Sequence, residues 1–309
     1  MNDRMRSDAL STALTAARVT GQVLLHERYA APWALEVPGG EALAGALGLP
    51  RRAVAFHFVR RGGFRLTWGA ERVDVGEGHV AIGFGGLPHR MSAGRDVRAV
   101  SLSDHLGGRR VGARTGARTE LVCGALALAG SEIDPFVEAL PPLLVAPVGD
   151  RGVVRRLAEE LDAGADGSAF AVARLAELMC LEAIRSHAAS GGLARGWFRA
   201  IADRDLERAM RAVRSDPGGP WTVEAMAATV GLSPSRFAAR FRDAMGEPPM
   251  RFVTRLRMSE AERLLERPEL RVHEVAARVG YESTSSFTRV FRQHIGRSPR
   301  AWRAVTGAT

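Results

Sequence analysis

The sequence predicts an α+β chain of two domains, a β-rich first part and an all-α last part. Short runs of β-branched or aromatic residues, separated by Gly clusters, fill the region from about 21 to 128. Apolar residues recur at helical spacing from about residue 134 onward. A helical repeat occupies residues 226 to 299. With 309 residues, the chain is long enough for two separate cores.

Four strands are predicted in the first part: AVAFHFVR at 53–60, FRLTW at 64–68, ERVDV at 71–75 and HVAIGF at 79–84. Strands this short at this spacing are typical of a sandwich or barrel. After Asp134, VVRRLAEELDA and FAVARLAELMCLEAIRSHAA are predicted to be helices. We place a hinge in SGGLARG at 190–196, which divides the chain into domains 1–195 and 196–309.

The repeat has two copies of one plan. MAATVG at 226–231 matches VAARVG at 275–280, and RFAARFRDAMGEPP at 236–249 matches SFTRVFRQHIGRSP at 286–299. In each copy a short helix ends at a Gly, for which we expect the left-handed conformation. A second helix follows, capped by Ser233 before Pro234 or by Ser283. This is the outline of a helix-turn-helix.

The second helix of each copy carries two Phe residues four apart, which predicts one buried stripe. The opposite face of the first copy has Ser235, Arg236, Ala239, Arg240 and Arg242, and that of the second has Thr284, Ser285, Ser286, Arg289 and Arg292. Hydroxyls near the helix start and Arg further along suit the major groove of double-stranded DNA. The alternative is a solvated face of a helical bundle.

A linker helix is predicted between the copies, beginning at Pro248-Pro249 and closed by Pro268. Its ~17 residues would span about 25 Å. With half the width of each flanking unit, the two second helices come to lie about one DNA turn, ~34 Å, apart. One chain could therefore read two successive major-groove segments.

The region from about 205 to 305 resembles the DNA-binding domain of the AraC/XylS family of bacterial transcription regulators. The resemblance rests on AMAATVGLSPSRFAARFRDAMGEPP, RLRMSEAERLL and VHEVAARVGYESTSSFTRVFRQHIGRSPRAWR. It implies that Arg289 and residues 284–286 lie in or beside the groove. The first copy departs from the family, because it has Ala239 where many members carry Arg. Base reading there would depend on Ser235, Arg236 or Arg240, or on contact between Ala239 and a thymine methyl.

The first part contains the segments APW at 31–33, AFHFV, VDVGEGHVAIGFGGLPH at 73–89, LVCGAL at 121–126 and PFVEALPPLL at 135–144. In these segments it is similar to the cupin-type N-terminal domain of one AraC branch. This resemblance implies a cupin-like β-barrel that senses or dimerises, followed by a helical dimerisation segment. We therefore expect a homodimer whose barrel responds to a ligand or signal of unknown identity.

Candidate residues for a ligand site in the barrel are Trp33, His57, Trp68, His89 and Cys123. For each of them, packing in the core is the competing interpretation. His57, His79 and His89 are candidates for a metal, since imidazole suits Zn, Fe or Ni. The paired His-x-His of metal-binding cupins is absent, however, because Ala55 and Val59 flank His57. We therefore expect no metal and no cofactor.

Charge places the expected polyanion partner in the last third of the chain. The formal net charge is +9, and residues 201–309 hold 19 Arg against 13 Asp and Glu, an excess of six. The two cysteines, Cys123 and Cys180, lie far apart, which suits a reducing cytoplasm. MNDRMRSDAL lacks the apolar core of a signal peptide, and LVCGALALAG is too short to span a bilayer. We expect a cytoplasmic protein with no membrane partner.

Together these features predict a sequence-specific DNA-binding transcription regulator rather than an enzyme. Its expected partner is promoter DNA, with RNA polymerase as a further candidate. The alternatives are a metal-dependent cupin enzyme, or a metal- or redox-sensing regulator. No nucleophile-base pair or phosphate loop in the sequence supports the enzyme. A nonspecific architectural DNA binder would favour minor-groove wedges or basic arms.

Overall fold

A computed structural model describes residues 9–17, 20–49, 53–95, 97–127, 134–148, 151–190 and 196–306. The chain forms two compact units. The sheet unit comprises residues 18–129 and 140–192, and the helical unit comprises residues 1–17, 130–139 and 193–309. Two segments that precede residue 195 thus belong to the helical unit. The predicted hinge lies almost entirely outside the described residues, and the boundary at 195 stays a prediction.

The strands, in chain order, are β1 (Thr20–Ala30), β2 (Trp33–Val37), β3 (Ala53–Arg61), β4 (Gly63–Trp68), β5 (Glu71–Gly76), β6 (His79–Ile82), β7 (His89–Ala93), β8 (Val100–Ser101), β9 (Arg118–Ala127) and β10 (Leu144–Pro147). The four strands predicted from the sequence are confirmed as β3 to β6. Strand β10 lies where helices were predicted, because its short apolar run pairs with β6 instead.

The helices are α1 (Ala9–Ala17), α2 (Gly40–Ala46), α3 (Leu102–Leu106), α4 (Pro135–Ala139), α5 (Arg151–Ala163), α6 (Ser168–Ala189), α7 (Trp197–Ala202), α8 (Arg204–Ser215), α9 (Val223–Ala228), α10 (Pro234–Met245), α11 (Pro249–Leu265), α12 (Val272–Arg278), α13 (Thr284–Ile295) and α14 (Pro299–Thr306). The two long helices predicted after Asp134 are α5 and α6. The linker helix is α11, with the predicted length of 17 residues.

The sheet unit contains two five-stranded sheets, with orders β1-β9-β3-β6-β10 and β5-β4-β7-β2-β8. Helix α6 packs on β1 and β10 of the first sheet. One apolar core is shared by both sheets, with Leu121 from the first and Trp33, Leu35 and Leu66 from the second. In the part of the chain that the structure describes, the sheets do not close into one ring. A β-rich sandwich is therefore confirmed, and the closed barrel is not.

The helical unit contains both copies of the repeat. The first copy consists of α9 and α10, the second of α12 and α13, and α11 joins them. One side of α11 is buried along the length of the helix, from Phe252 and Val253 to Leu264 and Leu265. In the second copy, Phe287 and Phe291 share a core with residues of α11 and α12 and with Trp302 of α14. Each copy thus has its own buried side, packed against the linker helix or its neighbours.

Candidate nucleic-acid interface

The first copy turns sharply between its two helices. Helix α9 is capped by the Thr222 hydroxyl, which accepts a hydrogen bond from the Ala225 N–H at 3.1 Å. Gly231 then has a φ of +69°, a conformation that a Cβ atom disfavours. Pro234 occupies the first turn of α10, as predicted, and Ser233 is the N-cap residue, but its side chain makes no capping hydrogen bond. The geometry of this turn depends on Gly231 and Pro234.

The second copy repeats the turn with a different set of caps. The Glu274 carboxylate accepts a hydrogen bond from the Arg271 backbone N–H at 2.7 Å, which holds the start of α12. Gly280 has a φ of +81°. The Ser283 hydroxyl accepts a hydrogen bond from the Ser286 N–H at 3.4 Å, so the predicted cap is confirmed.

The Phe pairs anchor α10 and α13 in the same way. Phe237 and Phe241 have ring centroids 5.7 Å apart, and Phe287 and Phe291 have theirs 5.6 Å apart. All four side chains are completely buried. Because each pair fixes which side of its helix faces inward, the opposite side is presented to solvent.

The predicted contact residues lie on those exposed sides. The exposed residues are Ser235, Arg236, Ala239 and Arg242 on α10, and Thr284, Ser285, Ser286, Arg289 and Arg292 on α13. Within the described part of the chain, Arg236, Arg242, Arg289 and Arg292 make no side-chain hydrogen bond or ion pair. Four guanidinium groups are therefore available to an anionic partner.

Arg240 differs from the other predicted arginines. Its guanidinium donates to Asp203 at 2.6 and 2.7 Å and to Asp205 at 2.9 Å. The hydrogen bond to Asp203 raises the pKa of the Arg240 guanidinium above its usual value. Asp203 also caps α8 by accepting from two backbone N–H groups. DNA contact by Arg240 stays a prediction, and it would have to compete with two carboxylates.

A basic groove of about 580 Å³ runs beside α13. Its walls come from the starts of three helices, and the lining residues are Arg271, Val272, His273, Thr284, Thr288, Ser298, Pro299, Arg300 and Arg303. Arg303 is used internally, since it donates to the carbonyl oxygens of Leu265 and Leu270. Arg271 and Arg300 are exposed and were not predicted. They lie outside the predicted contact faces of α10 and α13. The packing of α12 and α14 brings them beside α13.

The position of the second turn is fixed by Arg257 of the linker helix. Its guanidinium donates to the carbonyl oxygens of Pro217 at 3.0 Å and Gly219 at 2.8 Å. The same group lies over the Tyr281 ring, 5.6 Å from its centroid. The linker helix is thereby held to the segment before α9 and to the turn before α13.

Two family profiles match this chain. Residues 8–189 match the cupin family, and residues 226–304 match a helix-turn-helix domain. The second match covers both turns and both exposed helix faces. The chain is an AraC-type protein with a cupin N-terminal domain.

Curated relatives of this AraC-type chain are transcriptional regulators. It is 26% identical over 266 residues to a putative AraC-like transcription regulator of Streptomyces antibioticus, covering 82% of this chain and 87% of the relative. It is 23% identical to an uncharacterized HTH-type transcriptional regulator of Haemophilus influenzae, covering 96% of this chain and 98% of the relative. It is 30% identical to the HTH-type transcriptional regulator AlkR of Acinetobacter baylyi, and that match spans 42% of each chain.

The cupin part of this AraC-type chain holds a buried histidine pair. The Leu87 carbonyl lies 3.0 Å from His89 Nδ1, so this nitrogen carries the proton and donates. His89 Nε2 therefore accepts from His57 Nε2 at 2.7 Å. His57 Nδ1 is left as a buried acceptor without a partner among the described residues. Burial lowers the pKa of His57 well below its usual value and also lowers that of His89, so both are neutral near pH 7.

The structure brings three of the five ligand candidates together. His57, Trp68 and His89 line a cavity of about 20 Å³, which has room for about one water. Trp33 packs on Tyr29 and Phe64 in the core between the sheets. Cys123 lies opposite His57 in the β3–β9 register and is buried, and burial raises the pKa of its thiol. An effector site at these residues stays a prediction.

The metal candidates are not assembled into one site. His79 donates from Nδ1 to the Glu77 carbonyl and is not part of the histidine pair. Among the residues that the structure describes, no group of three or more His, Cys, Asp or Glu side chains is placed to hold a metal ion. No described helix is long and apolar enough to cross a membrane.

Proposed function

We propose that this chain is a sequence-specific transcription regulator that reads two successive major-groove segments of promoter DNA with α10 and α13. The observation that carries the proposal is the exposed side of α13. There, Ser285 and Ser286 lie in the first turn and Arg289 follows, with a guanidinium that has no partner among the described residues. Phe287 and Phe291 hold the opposite side in the core. Hydroxyl groups can bond base edges or phosphates, and Arg can bridge a guanine bidentately.

The linker helix supports simultaneous reading by both copies. Its 17 residues correspond to about 25 Å of helix. Adding half a unit on each side gives a separation close to one turn of DNA, ~34 Å. Helices α10 and α13 would then enter neighbouring major-groove segments on one face of the duplex.

The two copies are not equivalent in this proposal. Arg289 in α13 has Ala239 as its counterpart in α10, and Arg240 is occupied by two carboxylates. Direct reading of bases therefore depends mainly on α13, whereas α10 contributes through Ser235, Arg236 and contacts to phosphates. Arg271 and Arg300, in the groove beside α13, are suited to phosphate contacts.

The test is selection of preferred sites from random DNA, followed by footprinting with variants of the full chain. We expect Arg289→Ala to weaken the preferred site by ~1–3 kcal/mol and to relax specificity at one position. Arg300→Ala should weaken all sequences alike and reduce the salt slope of log K by about one. Arg72→Ala, on the exposed side of the sheet unit, is the charge-matched control. Failure to select any site, or unchanged specificity in Arg289→Ala, would contradict the proposal.

We further propose a homodimer formed through α6. One stripe of this helix carries Phe170, which is 73% exposed and stacks with Arg174, and Leu178, which is 44% exposed. Exposed aromatic and aliphatic groups on one stripe are typical of helix pairing. Sedimentation equilibrium should find the Phe170→Glu/Leu178→Glu variant monomeric. Leu106→Glu, at a similarly exposed leucine of α3, should leave the association state of the chain unchanged.

The cupin unit is proposed to modulate DNA binding in response to an effector, within the cytoplasm where promoter DNA lies. RNA polymerase would be a further partner if the protein activates transcription. We propose that the chain is not an enzyme, a view supported by relatives that are named as regulators. Stoichiometric metal in the purified full chain would instead favour the metal-dependent alternative.

A further inference from the structure

The sheet unit contains a second, larger concavity that is unrelated to the histidine pair. It has a volume of about 420 Å³ and is bounded by the end of β1, by α3 and by the loop before β9. Five arginines line it, namely Arg28, Arg109, Arg110, Arg114 and Arg118, and Glu27 is the sole acidic lining residue. We call this concavity the arginine groove.

The loop that carries three of these arginines is fixed to the sheet. The Ala113 N–H donates to the Ala30 carbonyl at 2.9 Å, and the Ala31 N–H donates to the Ala117 carbonyl at 2.9 Å. Gly112 and Gly116 have φ values of +89° and +144°. A Cβ at Gly112 would lie 2.8 Å from the Ala30 oxygen, and one at Gly116 would lie 2.2 Å from the Ala31 oxygen. Glycine thus allows the loop to lie directly against the end of β1.

The charges of the groove are only partly compensated. Arg28 pairs with Glu120 at 3.3 Å, and Arg109 pairs with Asp104 at 3.4 Å. Within the described residues, the side chains of Arg110, Arg114 and Arg118 make no ion pair or hydrogen bond. Like charges gathered around one concavity repel each other, so an anion placed among them lowers the electrostatic energy.

The floor of the groove adds no negative charge. The His105 Nδ1–H donates to the Arg109 carbonyl at 2.9 Å, which leaves His105 Nε2 as an acceptor. The buried Tyr29 hydroxyl donates to that nitrogen at 3.0 Å. Both polar groups are therefore satisfied by hydrogen bonds and neither is a carboxylate, so the arginines dominate the field inside the groove.

We propose that the arginine groove binds a small oxyanion ligand with two or more phosphate or carboxylate groups. Guanidinium groups form paired hydrogen bonds with both kinds of anion. The volume lies in the range of small-molecule pockets, and a concavity walled by fixed backbone suits a compact ligand better than a continuous nucleic-acid backbone. The site is separate from the faces of α10 and α13, and its argument does not rest on DNA binding.

The test measures binding to the full chain by titration calorimetry at low salt without DNA. The probes are inorganic pyrophosphate, citrate and uncharged glycerol. We expect pyrophosphate, citrate or both to bind, and glycerol not to bind. The variant Arg110→Ala/Arg114→Ala/Arg118→Ala should lose at least tenfold in affinity. Comparison of pyrophosphate with citrate distinguishes a phosphate ligand from a carboxylate ligand.

Two control variants separate the groove from general charge effects. Arg65→Ala/Arg72→Ala/Arg155→Ala removes the same charge from exposed positions of the sheet unit, and Arg289→Ala/Arg292→Ala removes cations of the helical unit. Both should bind the anion within twofold of the wild-type chain. If the triple groove variant loses its fold, Arg114→Ala alone replaces it, with an expected threefold or greater loss.

Three results would overturn the inference. The first is that neither anion binds the wild-type chain. The second is that a control variant loses as much affinity as the groove variant. The third is that the groove variant keeps its affinity for the anion but loses affinity for random DNA, which would make the groove a nucleic-acid surface. The anion titrations contain no DNA. A negative result in them therefore does not bear on the proposal that α10 and α13 read promoter DNA.

Discussion

At the scale of single residues, the arginines differ mainly in their partners. Arg289 is exposed and unpaired within the described residues, while Arg240 is held by Asp203 and Asp205. Both were expected on the DNA face, because they lie opposite the Phe stripe of their helices. The sequence predicts the face of a helix, but it does not predict which carboxylates another helix will bring to that face.

We expect the histidine pair to make the stability of the sheet unit depend on pH. Burial lowers the pKa of His57 and His89 in the folded state. In the unfolded chain a histidine titrates near ~6.5, so below that pH the unfolded state binds more protons than the folded state. Above about pH 7, we expect protonation of these two histidines to have no effect on the free energy of unfolding. Below about pH 6.5 it should fall by up to ~1.4 kcal/mol per pH unit for each histidine.

Urea unfolding at pH 7.5, 6.0 and 5.0 measures this dependence. The variant His57→Leu/His89→Leu should lose most of the slope below pH 6.5. His187→Gln, a change at a partly exposed histidine of α6, should keep it. An unchanged slope in the double variant would show that other groups cause the acid sensitivity.

At the scale of elements, the two copies of the repeat have the same helix-turn-helix arrangement. They differ in how much space surrounds the glycine in each turn. Both turns need a glycine, with φ of +69° at Gly231 and +81° at Gly280. Space for a side chain exists only at the first. A Cβ at Gly231 meets no atom within 4 Å, whereas one at Gly280 would lie 2.6 Å from the Gly218 oxygen and 2.8 Å from Arg257 Nη2.

These two glycines form a matched pair of substitutions. Gly231→Ala should destabilise the helical unit by ~1–2 kcal/mol, the cost of left-handed backbone for a non-glycine residue. Gly280→Ala should cost at least ~1 kcal/mol more, because the new Cβ also displaces the Arg257 contacts. Thermal unfolding of the full chain, followed by helical circular dichroism, measures both. Equal losses at the two positions would contradict this reasoning.

At the scale of the whole molecule, each of the two units is built from segments that are not contiguous in the sequence. Between β9 and β10 the chain contributes residues 134–139 to the helical unit. There, Phe136 packs on Trp197 with ring centroids 4.9 Å apart. Asp134 accepts two hydrogen bonds from Arg214, at 2.8 and 3.1 Å, and both side chains are less than a tenth exposed.

Removing one partner of this buried pair should be costly. Arg214→Leu leaves a buried carboxylate without its cation, and we expect a loss of ~3–5 kcal/mol of unfolding free energy. The double variant Asp134→Leu/Arg214→Leu should recover a large part of that loss, since no charge is left unpaired. Arg199→Ala, which removes an exposed ion pair with Asp243, should cost less than ~1 kcal/mol. Urea unfolding distinguishes these cases, and a mild effect of Arg214→Leu would count against a structural role for the pair.

Much of the fold was predictable because it depends on local patterns. The short β-branched and aromatic runs between Gly clusters in residues 53–84 identified β3 to β6, and the Phe spacing identified the buried sides of α10 and α13. Pro248-Pro249 and Pro268 set the bounds of the linker helix. Strand β10 was missed because a short apolar run between prolines has no helical or alternating period of its own. Its conformation depends on pairing with β6, a contact distant in sequence.

By itself, the sequence determined the doubled helix-turn-helix, its two turn glycines and the exposed face of α13, because these follow from periodicity and backbone sterics within a few residues. Only the tertiary structure decided which arginines remain unpaired, that His57 meets His89, and that Arg110, Arg114 and Arg118 gather around one groove. Electrostatic and hydrogen-bonding partners are chosen by packing between distant segments, and a single sequence carries no local signal for that choice.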